Sequence, residues 1–311
     1  MRIDNVISNN NRYISSYQYK HKKNGKLEQA NIHNAISFKS EISQFANYKL
    51  DSLTKFPKLY LASIYKKGII SNEQLLGIIE KFADRIDKSD IDYFGQHRIP
   101  VTKYDTPEII ENRLQALSAP IYDENSDEYL RNIDCIIDIE SKILSKATNN
   151  RKMLLLFGLP ATGKTEIINK IHLDSDYYVA DVDYIKNYFP SFIMSGKRLN
   201  NFQNLSQRIL LQKILPRAIN DGKNVIIPTT GYIKTVYEHA IPAKSKGYSI
   251  DVTYLKSTAE HSIKSMIKRY NNGGIYVDPF FVLSRSKKLQ NFENELKECK
   301  YIDNISIIDK T

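Results

Sequence analysis

Short apolar runs and amphipathic stretches alternate along the C-terminal half of the chain. The apolar runs predict β-strands at residues 153–157, 177–180, 224–228, 249–255 and 304–308. The stretches between them predict helices at residues 163–172, 203–221, 234–245, 257–270 and 280–298. Because strands that alternate with helices build parallel sheets, the pattern predicts an α/β fold with a five-stranded parallel sheet flanked by helices.

Three amphipathic stretches in the first half of the chain predict further helices. Ser71-Asn72-Glu73-Gln74 has the form of a capping box and opens a helix that extends to about residue 86. Thr106 before Pro107 is typical of an N-cap followed by proline in the first helical position. A longer amphipathic helix is predicted from Glu128 to Ala147.

These patterns divide the chain into three parts. Residues 1–50 carry eight basic residues, three acidic residues and eight asparagines, which predicts a polar, mobile leader. A secretion signal for a specialised export system is the alternative interpretation of the same composition. Residues 51–148 form a helical accessory region whose sequence indicates no chemistry and leaves a partner-binding role open. Residues 149–311 form the α/β domain.

The composition excludes several classes of protein. Hydrophobic residues make up 41% of the sequence, yet no apolar run approaches the ~18 residues that a membrane span needs. The first residues lack the apolar segment of a secretory signal peptide. Cys135 and Cys299 are the two cysteines, which favours reduced thiols over a disulfide framework or a zinc site. We therefore expect a cytoplasmic protein with no membrane partner.

The net charge of +10 bears on the ligand. From residue 151 onwards the chain holds 24 basic and 15 acidic residues. Such an excess favours polyanionic ligands such as nucleotides and phosphorylated metabolites. Nucleic acid is disfavoured, because the basic residues are scattered and are not arrayed along one helix with aromatic residues between them.

A G-x-x-x-x-G-K-T motif lies between the first apolar run of the α/β domain and its first helix. Its residues are Gly158, Leu159, Pro160, Ala161, Thr162, Gly163, Lys164 and Thr165. In a P-loop of this form the backbone amides and the helix N-terminus bind phosphate oxygens. Lys164 is expected to reach the β- and γ-phosphates of ATP or GTP, and the Thr165 hydroxyl is expected to hold Mg²⁺.

Two carboxylates follow the second predicted strand. Asp181 and Asp183 are two residues apart, so both can project from the carboxyl end of that strand. In a phosphoryl-transfer enzyme a carboxylate near the γ-phosphate accepts the proton of the attacking hydroxyl. We assign this role to Asp183. Asp181 is interpreted as a Mg²⁺ ligand, as part of the acceptor site or as the N-cap of the next helix.

The fourth helix of the domain ends in Lys268-Arg269 and is followed by Gly273-Gly274. Another helix that carries Arg285 comes next. A glycine hinge between two basic helices is typical of a kinase lid, in which arginines stabilise charge on the transferring phosphoryl group. Basic residues that only complement a helix C-terminus are the alternative. We predict that Arg269 and Arg285 are catalytic.

Four parts of the α/β domain together resemble the zeta-toxin kinases, over about residues 151–311. They are the P-loop, the stretch 181–186 ending in Phe189-Pro190, the strand 222–227 with Gly247-Tyr248, and the helix end 267–270. Zeta toxins phosphorylate a sugar hydroxyl of UDP-N-acetylglucosamine with ATP or GTP and Mg²⁺. The resemblance implies the same P-loop kinase fold. It places Asp183 at the base, Lys164 at the nucleotide, and Arg269, with Arg285 near it, at the lid.

The chain departs from the family where the acceptor is held. The family usually ends its third strand with an acidic residue followed by G-T-x-R, whereas this chain has Pro228-Thr229-Thr230-Gly231-Tyr232. Thr230 and Tyr232 are therefore predicted acceptor contacts. An aromatic ring in place of an arginine can stack on a base or a nicotinamide. This difference makes a resemblance to NAD-phosphorylating effectors with a zeta-like fold the second interpretation.

The sequence thus predicts a kinase that uses ATP and Mg²⁺ to phosphorylate a hydroxyl of a nucleotide-containing small molecule. It is expected to act as a toxin or effector, with an antitoxin or a chaperone as protein partner. Two other classes stay open. An NTPase switch is disfavoured because the strand Val225-Ile226-Ile227-Pro228 contains no Walker-B acid. A non-catalytic adaptor is disfavoured because the residues predicted to carry out catalysis, Lys164, Thr165, Asp183 and Arg269, are all present.

Overall fold

The computed structural model describes residues 55–82, 102–117, 127–172, 176–189, 192 and 202–310. The leader predicted for residues 1–50 lies outside these residues, as does the end of the helix predicted to reach about residue 86. Within the described residues, helices of the first half precede one five-stranded sheet that is connected by helices.

The first half contains four described helices, and the five strands predicted for the second half are confirmed. The helices are α1 (Lys55–Lys66), α2 (Asn72–Phe82), α3 (Pro107–Leu117), α4 (Asp127–Ser145), α5 (Lys164–His172), α6 (Val182–Lys186), α7 (Phe202–Gln207), α8 (Leu215–Asn220), α9 (Ile233–Lys244), α10 (Ala259–Asn271), α11 (Pro279–Lys288) and α12 (Phe292–Lys297). The strands are β1 (Lys152–Gly158), β2 (Tyr178–Val179), β3 (Val225–Thr229), β4 (Ser249–Lys256) and β5 (Asn304–Asp309).

The five strands form one parallel sheet in the order β2-β3-β1-β4-β5. β1 is the central strand, and its Leu155 pairs with Ile227 of β3 on one side and with Val252 of β4 on the other. The chain thus crosses from one side of β1 to the other, and the carboxyl end of β1 lies at a topological switch point. Ligands of open α/β sheets bind at such a point.

Both faces of β1 are buried, which explains its continuous apolar sequence. Phe157 belongs to the larger core, where its ring lies 4.9 Å from that of Phe292. Leu156 points to the opposite face and packs with Ile168 of α5 and Leu255 of β4. The strand that leads into the P-loop is therefore fixed from both sides.

The prediction of a single helix over residues 280–298 is wrong, because two helices occupy this range. α11 ends at Lys288, and α12 begins at Phe292 after an N-cap at Asn291. The break turns Phe292 inward, where its ring lies 5.1 Å from that of Tyr254 in an edge-on contact. Packing of this aromatic side chain outweighs the helical periodicity of the local sequence.

The helix predicted for residues 203–221 is present but changes its winding. α7 is followed by a π-helix, Arg208–Ile214, and then by α8, which contains Pro216 in its first turn. Proline has no amide hydrogen, and its ring clashes with the carbonyl group four residues earlier in an α-helix. A wider turn before Pro216 relieves that clash.

Two helices of the first half, α2 and α3, begin with the predicted caps. In the capping box of α2 the Gln74 amide donates to the Ser71 hydroxyl at 3.2 Å, and the Ser71 amide donates to the Gln74 side chain at 2.9 Å. The Ile109 amide donates to the Thr106 hydroxyl at 3.3 Å at the start of α3. α1 has no counterpart among the predicted helices.

Candidate active site

The P-loop curls tightly at the carboxyl end of β1. Ala161 and Gly163 have φ angles of 57° and 94°, and this left-handed backbone folds the loop over the start of α5. The Thr162 hydroxyl donates to the Leu159 carbonyl at 2.8 Å across the loop. A Cβ atom at Gly158 would lie 2.7 Å from that hydroxyl oxygen, so the close crossing requires glycine there.

Lys164, the first residue of α5, folds back along the loop. Its ammonium donates to the carbonyl oxygens of Gly158 and Leu159, each at 2.8 Å. The loop is also tied to α10, because the buried Ser262 hydroxyl donates to the Pro160 carbonyl at 2.6 Å. The P-loop is thus held both by its own lysine and by α10, the helix that carries Arg269.

Three other predicted site residues are charged groups that lie near Lys164. Burial is the main cause that lowers the pKa of Lys164 to about 8, and the charge of the nearby Arg269 contributes to this lowering. Asp181 and Asp183 act in the opposite direction and favour the charged ammonium. Lys164, Asp181, Asp183 and Arg269 are therefore close enough to interact electrostatically at the carboxyl edge of the sheet.

The two carboxylates have different environments. Asp181 is the N-cap of α6 and accepts a hydrogen bond from the Asp183 amide at 2.8 Å, as one of its predicted roles required. Burial and the Asp183 charge raise the pKa of Asp181 to about 6. The Asp183 carboxylate accepts from the Lys186 ammonium at 2.7 Å. The site thus contains one half-buried carboxylate that caps α6 and one half-exposed carboxylate that is ion-paired.

A buried glutamate anchors the turn that carries these carboxylates. Glu140 of α4 is 3% exposed and accepts from the hydroxyls of Tyr178 at 2.5 Å and Tyr188 at 2.6 Å. Tyr178 lies three residues before Asp181, and Tyr188 lies two residues after Lys186. Glu140 was not predicted as a site residue, because its partners are about 40 residues away in the sequence and no local pattern indicates them.

The glycine pair after α10 wraps around Arg269. Gly273 has a φ of 81°, and the Gly274 amide donates to the Arg269 carbonyl at 3.0 Å. A Cβ atom at Gly274 would lie 2.7 Å from Cγ of Arg269. The Arg269 guanidinium donates to the Ile275 carbonyl at 3.3 Å, while its buried Nε finds no acceptor among the described residues. The glycine pair thus fixes the Arg269 side chain at the end of α10.

Arg285, the second predicted lid arginine, lies on α11. Its guanidinium is placed over the Phe281 ring, 5.1 Å from the centroid. Within the described part of the chain, the arginine whose charge acts on Lys164 is Arg269. Arg285 thus lies on a helix next to the site and contacts an aromatic ring of its own helix.

The predicted acceptor residues form a short loop after β3. The Gly231 amide donates to the Thr229 hydroxyl at 2.9 Å, and Thr230 between them is half-buried. Tyr232 has extended backbone and precedes α9 as its N-cap. The Lys288 ammonium of α11 lies over the Tyr232 ring, 5.0 Å from the centroid. The sequence did not predict this contact of Lys288 with Tyr232, because it joins two distant segments.

A P-loop between the central strand of a parallel sheet and the following helix defines a nucleotide-binding protein of the P-loop class. The model of the family described as Zeta toxin matches residues 138–311, and the chain belongs to this family. Members of the zeta toxin family are kinases that use ATP. The matched range begins inside α4, two residues before Glu140.

A solved structure comes from a study of the PezAT chromosomal toxin–antitoxin system of the human pathogen Streptococcus pneumoniae. It is similar to this chain at 16% sequence identity, over 60% of this chain and 78% of that chain, with a TM-score of 0.47. None of the curated proteins matches the chain. Among the described residues, no helix is both long and apolar enough to cross a membrane.

Proposed function

We propose that the protein transfers the γ-phosphoryl group of ATP to a hydroxyl group of a nucleotide-containing small molecule. The observation that carries the proposal is the convergence of four charges at the carboxyl edge of the sheet. The Lys164 ammonium interacts there with the carboxylates of Asp181 and Asp183 and with the Arg269 guanidinium. Phosphoryl transfer requires a phosphate-binding cation, a base for the acceptor hydroxyl and a cation for the developing charge.

The donor side of the reaction is assigned to the P-loop. Its amides and Lys164 would bind the triphosphate, and Mg²⁺ would be held by the exposed Thr165 and by Asp181. The residues fit this metal, because Mg²⁺ takes only one or two protein oxygens when phosphates and water complete its shell. Among the described residues, no three or more histidine, cysteine or acidic side chains cluster as metal ligands, so phosphates and water would have to complete the shell. The ion would neutralise charge on the phosphates.

The acceptor side is assigned to Asp183. Its carboxylate is 49% exposed, so a substrate hydroxyl can reach it, while Lys186 holds it in place. Asp183 would orient the hydroxyl and accept its proton as the oxygen attacks the γ-phosphorus. Arg269, with its unpaired Nε donor, would stabilise the charge on the transferring group. Arg285 would approach from α11.

Family membership makes UDP-N-acetylglucosamine the first acceptor to test. One observation favours NAD as the second. Tyr232 offers an aromatic ring at the predicted acceptor loop, and the Lys288 ammonium beside it can meet a diphosphate. With either acceptor we propose that the protein acts as a toxin or effector, and that an antitoxin or a chaperone binds it.

Labelled ATP tests this function. The protein is incubated with a panel of nucleotide-sugars and dinucleotides, and wild type is compared with Asp183→Asn and with the exposed control Asp138→Asn. Transfer of label to an acceptor by wild type and the control, but not by Asp183→Asn, supports the kinase. ATP loss without an acceptor would favour an NTPase, and no turnover would favour an adaptor. Toxicity on expression that is lost in Lys164→Ala would support the toxin.

A further inference from the structure

A buried arginine outside the family-matched range holds one end of the segment that follows Arg269. Arg113 lies on α3 and is 2% exposed. Its Nε and Nη2 atoms donate to the two carboxylate oxygens of Asp278 at 2.5 and 2.9 Å. The same guanidinium donates to both oxygens of Asp105 at 3.3 Å and contacts the Tyr60 hydroxyl. Arg113 therefore joins the first helices to the start of α11.

The preceding residue of α3 holds the other end. The Tyr270 hydroxyl donates to the Asn112 side-chain oxygen at 3.1 Å. The Tyr270 ring packs edge-on against Tyr276 at 5.4 Å, and the Tyr276 hydroxyl lies 3.5 Å from Asp278. We call residues 270–278 the lid segment. Its two ends are thus bound by consecutive residues of one helix.

The lid segment encloses the side chain of Arg269. The Gly274 amide and the Ile275 carbonyl contact this arginine, and the space around Cγ admits no side chain at Gly274. A shift of either end of the segment would therefore move the guanidinium. Because a bidentate guanidinium–carboxylate pair fixes direction as well as distance, the pair of Arg113 and Asp278 suits this task.

We infer that Asn112 and Arg113 are positioning residues for phosphoryl transfer, which act through the lid segment on Arg269. The inference rests on the proposed function and gives the helical accessory region a part in the reaction. Arg113 touches neither the P-loop nor Asp183 in any described contact. Its effect on catalysis must therefore pass through the placement of Arg269.

A double-variant cycle tests the inference. Phosphoryl transfer to the acceptor found with the panel is measured for Arg113→Lys, for Arg269→Ala and for the double variant. Lysine keeps the charge but lacks the fork that binds both oxygens of Asp278. Since small misplacements of a catalytic group are costly, we expect Arg113→Lys to lower kcat by about tenfold to a hundredfold. In the Arg269→Ala background the same substitution should cause no further loss.

Glu111→Gln is the matched control, because Glu111 is an exposed residue of the same helix whose ion pair joins Lys81 and not the lid segment. It should keep the wild-type kcat. Losses that multiply in the double variant, or an unchanged kcat in Arg113→Lys, would overturn the inference. If Arg113→Lys does not fold, Tyr270→Phe takes its place in the cycle, because it removes the hydroxyl that Asn112 binds.

Hydrogen exchange supplies a readout that needs no acceptor. The Gly274 amide donates to the Arg269 carbonyl. We expect its hydrogen to exchange about tenfold faster in Arg113→Lys than in wild type or in Glu111→Gln. Exchange at the same rate would overturn the inference even if the kinase is active. Faster exchange in a protein that phosphorylates no acceptor would instead show that Arg113 holds the lid segment in place and that the proposed function is wrong.

Discussion

The Asp183 carboxylate and the Lys186 ammonium are 2.7 Å apart across one turn of α6. The two side chains differ in environment, because Lys186 is 6% exposed and Asp183 is 49% exposed. The buried ammonium thus fixes a carboxylate that still faces solvent. This is the arrangement that a base needs when its substrate arrives from solution and its own geometry must stay constant.

Lys186→Met should therefore impair the reaction without removing the base. Methionine preserves much of the buried volume but leaves Asp183 without its partner, so its carboxylate can rotate. We expect kcat to fall by about tenfold to a hundredfold, with KM for ATP nearly unchanged. Steady-state kinetics measure both, and Lys170→Met, which removes an exposed ion pair on α5, is the control. A changed KM with a normal kcat would contradict the assigned role.

Gly274→Ala should disturb the placement of Arg269. The new Cβ would lie 2.7 Å from Cγ and 2.8 Å from the carbonyl oxygen of Arg269, and the backbone oxygen cannot yield without movement of the lid segment. We expect a loss of stability of about 1–3 kcal/mol and a clear fall in kcat. Urea unfolding and the kinase assay check the two effects.

The matched glycine control is Gly77→Ala in α2. A Cβ there would meet no atom within 4 Å, and alanine favours a helix over glycine. This variant should be as stable as wild type or more stable, with full activity. Equal losses in the two variants would show that neither effect comes from the packing around Arg269.

The stability of the protein should depend on Asp181 and on pH. Its pKa is raised from 3.8 to about 6, mainly by burial. A raised pKa means that the folded state binds the proton more tightly, so this stabilising contribution is full below pH 3.8 and is lost as the pH rises through 6.

Asp181→Asn should therefore be more stable than wild type above pH 6. Asparagine keeps an N-cap oxygen for the Asp183 amide but carries no titrating proton. Near pH 7.5 we expect a gain of about 1–3 kcal/mol in the free energy of unfolding, which shrinks towards pH 4. Urea titrations at both pH values measure the gain, with Asp138→Asn as the control. A difference that is independent of pH would refute the explanation.

Glu140→Gln should weaken the turn that carries the two aspartates. A carboxylate accepts from both tyrosine hydroxyls, whereas an amide offers one oxygen, so one hydroxyl must change its partner. We expect a loss of about 1–3 kcal/mol, and a smaller loss when Tyr188→Phe is already present. Thermal unfolding of the two single variants and the double variant gives the coupling. Additive losses would mean that Glu140 does not join the two ends of the turn.

Much of the α/β domain could be predicted because its signals are local. The apolar run of β1 followed by the P-loop fixes a strand, a turn and a helix within 20 residues, and each was found. The caps at Ser71 and Thr106 are local as well, and both were found. α1 was missed because no cap or motif marks it.

The remaining features depend on contacts between distant residues. The helical segment breaks before Phe292, because this ring packs in the core against Phe157 of β1 and Tyr254 of β4. The local sequence around residue 292 does not indicate these contacts. Glu140 and Lys288 likewise contact predicted parts of the site through residues that are distant in the sequence, Tyr178 and Tyr232. Residue types and spacing therefore predicted the residues on the nucleotide side of the site. The residues that hold these in place could be identified only from the folded structure.

The pair of Arg113 and Asp278 also affects the order in which the molecule can be completed during translation. The two residues are 165 positions apart, so the ribosome adds the aspartate long after α1, α2 and α3 have been made. Until then the arginine has one of its two carboxylate partners, and burying it is correspondingly costly. The packing around Arg113 is therefore completed only after residue 278 has been made, and a nascent chain that stops before this residue lacks the contact that holds the end of the lid segment.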